Sequence, residues 1–325
     1  MPLHAEVVLS NQTRLFLLVL LAFLPTVGLF SYANRSLRSA ELRNQEAELL
    51  HLANRAGLEY RRILEDTEAL LGALAETSEL RNPRQPQCNQ FLASIMSQMQ
   101  YYTAIQLIEP DGFVTCGSLA MNQSLFVGDR YYHRAAMANR RFTVGNYVVG
   151  RLTGEPIVGL AYPVSGSTPD EVTAVVAAYL DLTTLENNVY EMDVPRAATL
   201  TVLGRNGTVM ARVPAGQSPM GLDTVGASVP ESFPTPTGEI RGPYLLSGPD
   251  LDGVDRIFAV QPLEAGGSQA YGHLLIGIDE ESMLAATDSV AVRQLQILAV
   301  SGLFLLLLAW VFGHYTLLRD SPKAA

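Results

Sequence analysis

Lysine is all but missing from this chain: Lys323 is the only one, and every other cationic side chain apart from histidine is arginine. Acidic residues outnumber basic ones 32 to 22, giving a net charge of −10, which excludes the basic face that a nucleic-acid partner requires. Histidine is sparse and scattered (His4, His51, His133, His273, His314), and there are only two cysteines. No cluster of His, Cys and carboxylates has the spacing of a metal site, so neither metal nor cofactor is expected. There is no G-x-S-x-G elbow and no H-E-x-x-H, and Gly204-x-x-Gly207 sits in a hairpin, unlike a phosphate loop. No catalytic constellation stands out, and the chain is not expected to be an enzyme. Proline is absent, and glycine nearly so, from Asn34 to about Leu80.

That glycine-poor stretch reads as one long helix over residues 34–81. Leu42, Leu49, Ala56, Ile63 and Leu70 recur every seven residues, Leu52, Ala53, Tyr60 and Leu74 widen the stripe, and charged residues fill the other faces. About 45 helical residues span about 70 Å, enough to pass alongside more than one domain. The stripe fits either a helix packed on its own sheets or a seam shared with a second copy in a parallel homodimer.

Two apolar runs, residues 15–33 and 294–318, lie near the chain ends. Each is close to the roughly 20 residues that cross a bilayer, and together they predict two transmembrane helices. The tails 1–14 and 319–325 would then share the cytoplasmic side, with the bulk of the chain exported. Ser31-Tyr32-Ala33 also fits a signal-peptide cleavage site, which would remove the first run and still export the rest. Arg35, Arg38 and Arg43 stand on the exported side of the first run, against the positive-inside rule. Cys88 and Cys116 both fall between the runs. An even count in an exported segment favours a disulfide over two buried thiols.

Beyond the breaker Asn82-Pro83-Arg84-Gln85-Pro86, the chain repeats itself over about 82–190 and 191–290. PDGFVTC answers RNGTVMA, GLAYPV answers FAVQPL, and VVAAYLDLTTL answers LLIGIDEESML. Each half reads as an antiparallel-sheet module with flanking helices, an α+β architecture strung along the long helix. A short helix is expected over 182–189, and 213–253, rich in Pro, Gly and Ser, carries little regular pattern. A last helix from about Glu280 runs into the second apolar run.

The stretch GDRYYHRAAMANRRFTVGNYVVGRLTGEPIVGLAYPV, Gly128 to Val164, concentrates arginine, tyrosine and glycine beside an apolar strand, as a small polar-ligand pocket does. Loop-pinning is the alternative use of such residues. Asp129 is placed to cap a helix over Tyr131 to about Arg140. Gly145, Gly150 and Gly154 then suggest a loop carrying Tyr147 and Arg151, followed by a strand over 157–164. Asp181 ends a later apolar strand, where a carboxylate is more often a helix cap than a general base.

DRYYHRA, GNYVVGRLTGEPIVGLAYPV and the strand ending at Asp181 resemble the double Cache extracytoplasmic sensor domain of bacterial chemoreceptors, sensor histidine kinases and membrane diguanylate cyclases. The resemblance covers nearly the whole chain. It implies two PAS-like modules along one helix, flanked by transmembrane helices in a bacterial inner membrane, with most of the chain periplasmic. It also implies a small-molecule ligand of the amino acid, amine or organic acid class in the membrane-distal module. Arg130, Tyr132, His133, Tyr147, Arg151 and Asp181 are the implied contacts, with Arg130 holding a carboxylate and Asp181 an ammonium. The amino-acid-binding subset carries tryptophan and tyrosine where Tyr131-Tyr132-His133 stands here, which favours a different polar ligand. Neither a kinase, a cyclase nor a methyl-accepting segment follows the second apolar run. Output is therefore expected from a separate cytoplasmic partner, or from a missing domain of a histidine kinase or diguanylate cyclase. A dimerising membrane scaffold that binds a protein is the other reading.

Overall fold

The computed structural model describes residues 11–121, 123–166, 168, 171–183, 195, 197–213, 225–234, 242–264 and 270–319, with some side chains of the terminal helices excepted. The chain divides into two compact units, Met1–Gln45 with Glu281–Ala325, and Glu46–Glu280.

Helix α1, Asn11–Ala75, contributes its first part to the first unit, and helix α5, Glu280–Arg319, supplies the other part. The two pack at a glycine: a Cβ on Gly302 would fall 2.7 Å from the Phe23 ring. Apolar side chains such as Leu21, Leu29, Val300 and Leu303 stay exposed on this unit. Among the described residues, no helix is long and apolar enough to cross a membrane. Both runs expected to span one include side chains outside the described residues.

The second unit holds two five-stranded antiparallel sheets of the same strand order. The first is β2-β1-β5-β4-β3, built from β1 Tyr102–Ile108, β2 Val114–Gly117, β3 Thr143–Val149, β4 Pro156–Ser165 and β5 Val172–Asp181. The second is β7-β6-β10-β9-β8, built from β6 Thr199–Gly204, β7 Val209–Val213, β8 Tyr244–Pro249, β9 Asp255–Leu263 and β10 Gly272–Ile278. The expected duplication extends to the turns. Gly112 (φ 93°) donates to the Glu109 carbonyl at 2.9 Å and Gly207 (φ 73°) to that of Gly204 at 3.0 Å. Positive φ at the same place in both turns explains a glycine in each.

The buried stripe of α1 in this unit includes Leu49, Ala56, Tyr60, Leu64, Leu71 and Leu74, a helical period spent on its own chain. The helix touches both sheets. A Cβ on Gly57 would meet Gln261 of β9 at 2.3 Å, and one on Gly72 would meet Tyr162 of β4 at 3.5 Å. After α1 come the single turn α2, Ser78–Arg81, and α3, Gln87–Met96. The sulfurs of Cys88 on α3 and Cys116 on β2 are bonded, with Cα atoms 6.1 Å apart. Helix α4, Tyr131–Asn139, covers one face of the first sheet.

Three expectations are corrected. The segment carrying Tyr147 is a strand, β3, and no loop: Gly145 lies within it because a Cβ there would sit 2.7 Å from the Gly159 carbonyl oxygen and 3.1 Å from the Cβ of Tyr132. Strand β8 lies inside the segment read as irregular, an edge strand paired to β9 alone. Asp129 does not cap α4, whose N-cap is Arg130 with no side-chain cap bond, because both its carboxylate oxygens accept from Arg151 at 2.7 Å. The helix expected over 182–189 falls mostly outside the described residues.

Candidate functional site

The site lies where α4 and the loop after β3 meet the face of the first sheet. Alternation along β1, β4 and β5 puts Ala104 and Gln106, Ile157 and Gly159, and Ala177 and Tyr179 on that face. Glycine at 145 and 159 lets an aromatic ring lie against the strands: a Cβ on Gly159 would come within 2.4 Å of Tyr132. Tyr132 meets Tyr179 edge-on, with ring centroids 5.7 Å apart. A buried hydrogen-bond chain follows, in which the Tyr132 hydroxyl donates to that of Tyr179 at 3.2 Å and Tyr179 donates to Gln106 Oε1 at 2.7 Å. Burial pushes the Tyr132 hydroxyl above the ordinary tyrosine range and Tyr179 well above it, so both stay neutral donors.

Above this floor is a cavity of about 20 Å³ lined by Arg130, Arg151 and Thr153 as well as Gln106, Tyr132 and Tyr179. A void needs roughly 10–15 Å³ to admit one water, so there is room for about one. Arg130 donates through one guanidinium nitrogen to the Val149 carbonyl at 3.1 Å. Among the described residues it forms no ion pair, while Arg151 binds Asp129 bidentately and also donates to the Phe126 carbonyl at 2.6 Å. The Arg151 hydrogen bonds hold the Asp129 carboxyl below the usual carboxylate range, so it is ionised at neutral pH. The site therefore carries two guanidinium charges and one carboxylate. The loop from Val149 to Thr153 is fastened over it by a pair whose side chains are 37% and 49% exposed.

Of the six residues expected to bind ligand, Arg130, Tyr132 and Arg151 line this cavity, and His133, Tyr147 and Asp181 do not. His133 is buried and donates from Nε2 to the Glu109 carbonyl at 3.0 Å, tying α4 to the first tight turn. Tyr147 packs on the second module, where a Cβ on Gly226 would meet its ring at 2.7 Å. Tyr131 also reaches the second module: its hydroxyl accepts from Arg205 at 2.6 Å. Asp181 lies one alternation beyond Tyr179 on the same sheet face, and its Oδ1 accepts the Thr183 N–H at 2.9 Å, the bond of a cap. Gln106 and Tyr179 were missed. The signal was a polar side chain inside an otherwise apolar strand, which must find a partner when buried.

No family model matches the sequence, and no curated protein does. Solved structures do share the fold. The ligand-binding domain of the Pseudomonas aeruginosa PAO1 amino acid chemoreceptor PctB, in complex with L-Arg, matches with TM-score 0.58 and 18% identity over 74% of this chain and 97% of that one. The ligand-binding domain of the Pseudomonas fluorescens chemoreceptor CtaA, in complex with L-isoleucine, matches with TM-score 0.59 and 17% identity over 77% and 98%. The extracellular domain of rpHK1S-Z16, assigned as a histidine kinase, matches with TM-score 0.61 and 17% identity over 75% and 98%. The architecture is thus that of extracellular ligand-binding domains of chemoreceptors and histidine kinases, consistent with the double Cache sensor fold.

Proposed function

We propose that this chain is a membrane-anchored extracytoplasmic sensor that binds a small polar metabolite in its first, membrane-distal module. The carrying observation is the cavity at the start of α4, which joins a guanidinium without a carboxylate partner among the described residues to a floor of hydrogen-bonded hydroxyls. Amino-acid complexes of PctB and CtaA, which share the fold, support a ligand role for it. Anchoring rests on the two apolar runs and on the exposed apolar side chains of the first unit. A ligand that binds one state of the second unit better than another would shift the balance between them. Helix α1 and the last helix would carry that shift across the inner membrane to a cytoplasmic signalling partner, within a homodimer.

The test is thermal shift and calorimetry on the full chain with a panel of amino acids, amines and organic acids. A saturable ligand is expected, with affinity reduced in Arg130→Ala. Absence of any ligand, or equal affinity in wild type and variant, would overturn the assignment.

A further inference from the structure

We infer that the second module is an anion site occupied by its own chain, with Asp250 as a tethered carboxylate ligand whose place a small free carboxylate can take. The β3–β4 turn closes on the pair Val149–Pro156 and the β8–β9 turn on Pro249–Asp255, so Gly150 and Asp250 open equivalent turns. Both make the same closing bond: the Gly150 N–H donates to the Glu155 carbonyl at 2.8 Å, and the Asp250 N–H to the Val254 carbonyl at 2.9 Å. A glycine with positive φ precedes the acceptor in each, Gly154 (75°) and Gly253 (81°). The strand ladders match the surroundings as well. Ala104, Gly117 and Ile157 of the first sheet stand where the second has Thr199, Arg212 and Arg256. Ala104, Gly150 and Ile157 line the cavity of the first module. Where that module is small or apolar, the second has three donors aimed at one carboxylate.

Asp250 is held as a bound anion is. Its side chain is 0% exposed. Its Oδ1 accepts from Arg212 at 2.8 Å and from the Leu251 N–H at 2.7 Å, and its Oδ2 from Arg256 at 2.8 Å and from the Thr199 hydroxyl at 2.9 Å. Such charge-assisted bonds fill the acceptor capacity of a carboxylate. Each cation also has a second anchor. Arg212 donates to the Thr201 hydroxyl at 3.1 Å, and Arg256 to Asp252 Oδ2 at 2.8 Å. Removing the Asp250 side chain therefore leaves both guanidinium groups in place, desolvated and short of one negative charge. The atoms lost in Asp250→Gly are those of acetate, and the atoms lost in Asp250→Ala are those of formate.

The experiment is chemical rescue. Wild type, Asp250→Gly, Asp250→Ala and Asp250→Asn, each as the full chain, are melted by scanning calorimetry in formate, acetate or chloride at equal ionic strength. At about ten times its dissociation constant, a fitting anion should raise the melting temperature by roughly 3–6 °C beyond its effect on wild type. Acetate or formate should do so for Asp250→Gly, and formate for Asp250→Ala. Chloride should rescue neither, and Asp250→Asn, whose amide keeps the space filled, should respond as wild type does. If both truncated variants are unfolded in buffer, refolding in formate or acetate but not in chloride supports the tethered ligand, and failure to refold in all three overturns it. Shifts equal to that of wild type, or an equal shift in Asp250→Asn and Asp250→Gly, overturn it too. The wild-type shift reads the first module alone, so either result leaves the sensor reading where it stood.

Discussion

Replacing Asp250 with alanine probes an ion network buried in the second module. The Asp250 carboxylate accepts from Arg212 at 2.8 Å, from Arg256 at 2.8 Å and from the Thr199 hydroxyl at 2.9 Å. Its side chain is 0% exposed and both arginine side chains are 5% exposed. Truncation would leave Arg212 without this carboxylate and Arg256 ion-paired to Asp252, whose side chain is 43% exposed. Breaking a buried pair from one side destabilises by about 3–5 kcal/mol, because a desolvated charge is left behind. At about 2–4 °C per kcal/mol for a large domain, the melting temperature should fall by roughly 6–20 °C. Asp252→Ala, which removes the outer and wetter partner, should cost much less. Circular-dichroism melts and urea titrations of the full chain read both. A melting temperature of Asp250→Ala within about 2 °C of wild type, with unchanged urea slope, would mean that water already solvates these arginines and that the desolvation argument fails.

Three further outcomes follow from the first module. Gly159→Ala places a methyl 2.4 Å from the Tyr132 ring, whose rigid body must move; overpacking of about 1–3 kcal/mol and weakened ligand binding are expected from unfolding and calorimetry. Reducing the Cys88–Cys116 bond, which closes a separation of 28 residues, should destabilise by about 3–4 kcal/mol in the chain-entropy model, and identical unfolding with and without reductant would refute this. The third concerns pH. Asp129 is held below its unfolded value of about 3.9, so the Asp129–Arg151 pair contributes fully above about pH 4 and fades as pH falls through the lower folded value. Because the pair is exposed it is worth only about 0.2–1 kcal/mol, and the sign is checked by hydrogen-exchange protection of the loop, which should exceed that of Arg151→Ala at neutral pH and converge on it as pH falls below about 4.

Local patterns were legible in the sequence where one principle dominated. The α1 stripe follows a helical period, and the Pro110-Asp111-Gly112 and Arg205-Asn206-Gly207 turns follow the need for positive φ. Legibility failed where tertiary contact overrode local signals. Gly145 reads as a breaker and is a strand residue, because the Gly159 carbonyl and the Tyr132 side chain leave no space for a Cβ there. Asp129 reads as a cap, but a guanidinium 22 residues away binds it more strongly than an amide. The site was half visible for the same reason. Arg130, Tyr132 and Arg151 sit in one short segment, whereas Tyr179 reaches Gln106 across 73 residues by strand pairing.

Strand registers explain why the ligand is assigned to one module when both share a topology. Matching the turns at Gly112 and Gly207 carries Ala104 onto Thr199 and Gln106 onto Thr201, and the pairing ladders carry Ile157 onto Arg256, Gly159 onto Phe258 and Tyr179 onto Gly277. Four of these first-module residues, Ala104, Gln106, Ile157 and Tyr179, line the cavity. Their counterparts Thr199 and Arg256 hold Asp250, and Thr201 accepts from Arg212 at 3.1 Å. The place that is a cavity in one sheet is filled in the other by ions that neutralise each other. The aromatic ring has changed strands as well: Tyr179 faces Gly159 in the first sheet, and Phe258 covers Gly277 in the second, where a Cβ would come within 2.5 Å. An anion entering the second module would have to displace Asp250 from two buried arginines, at several kcal/mol. In the first module it would replace only a carbonyl contact of Arg130, and that difference in cost is the physical ground for assigning the ligand there.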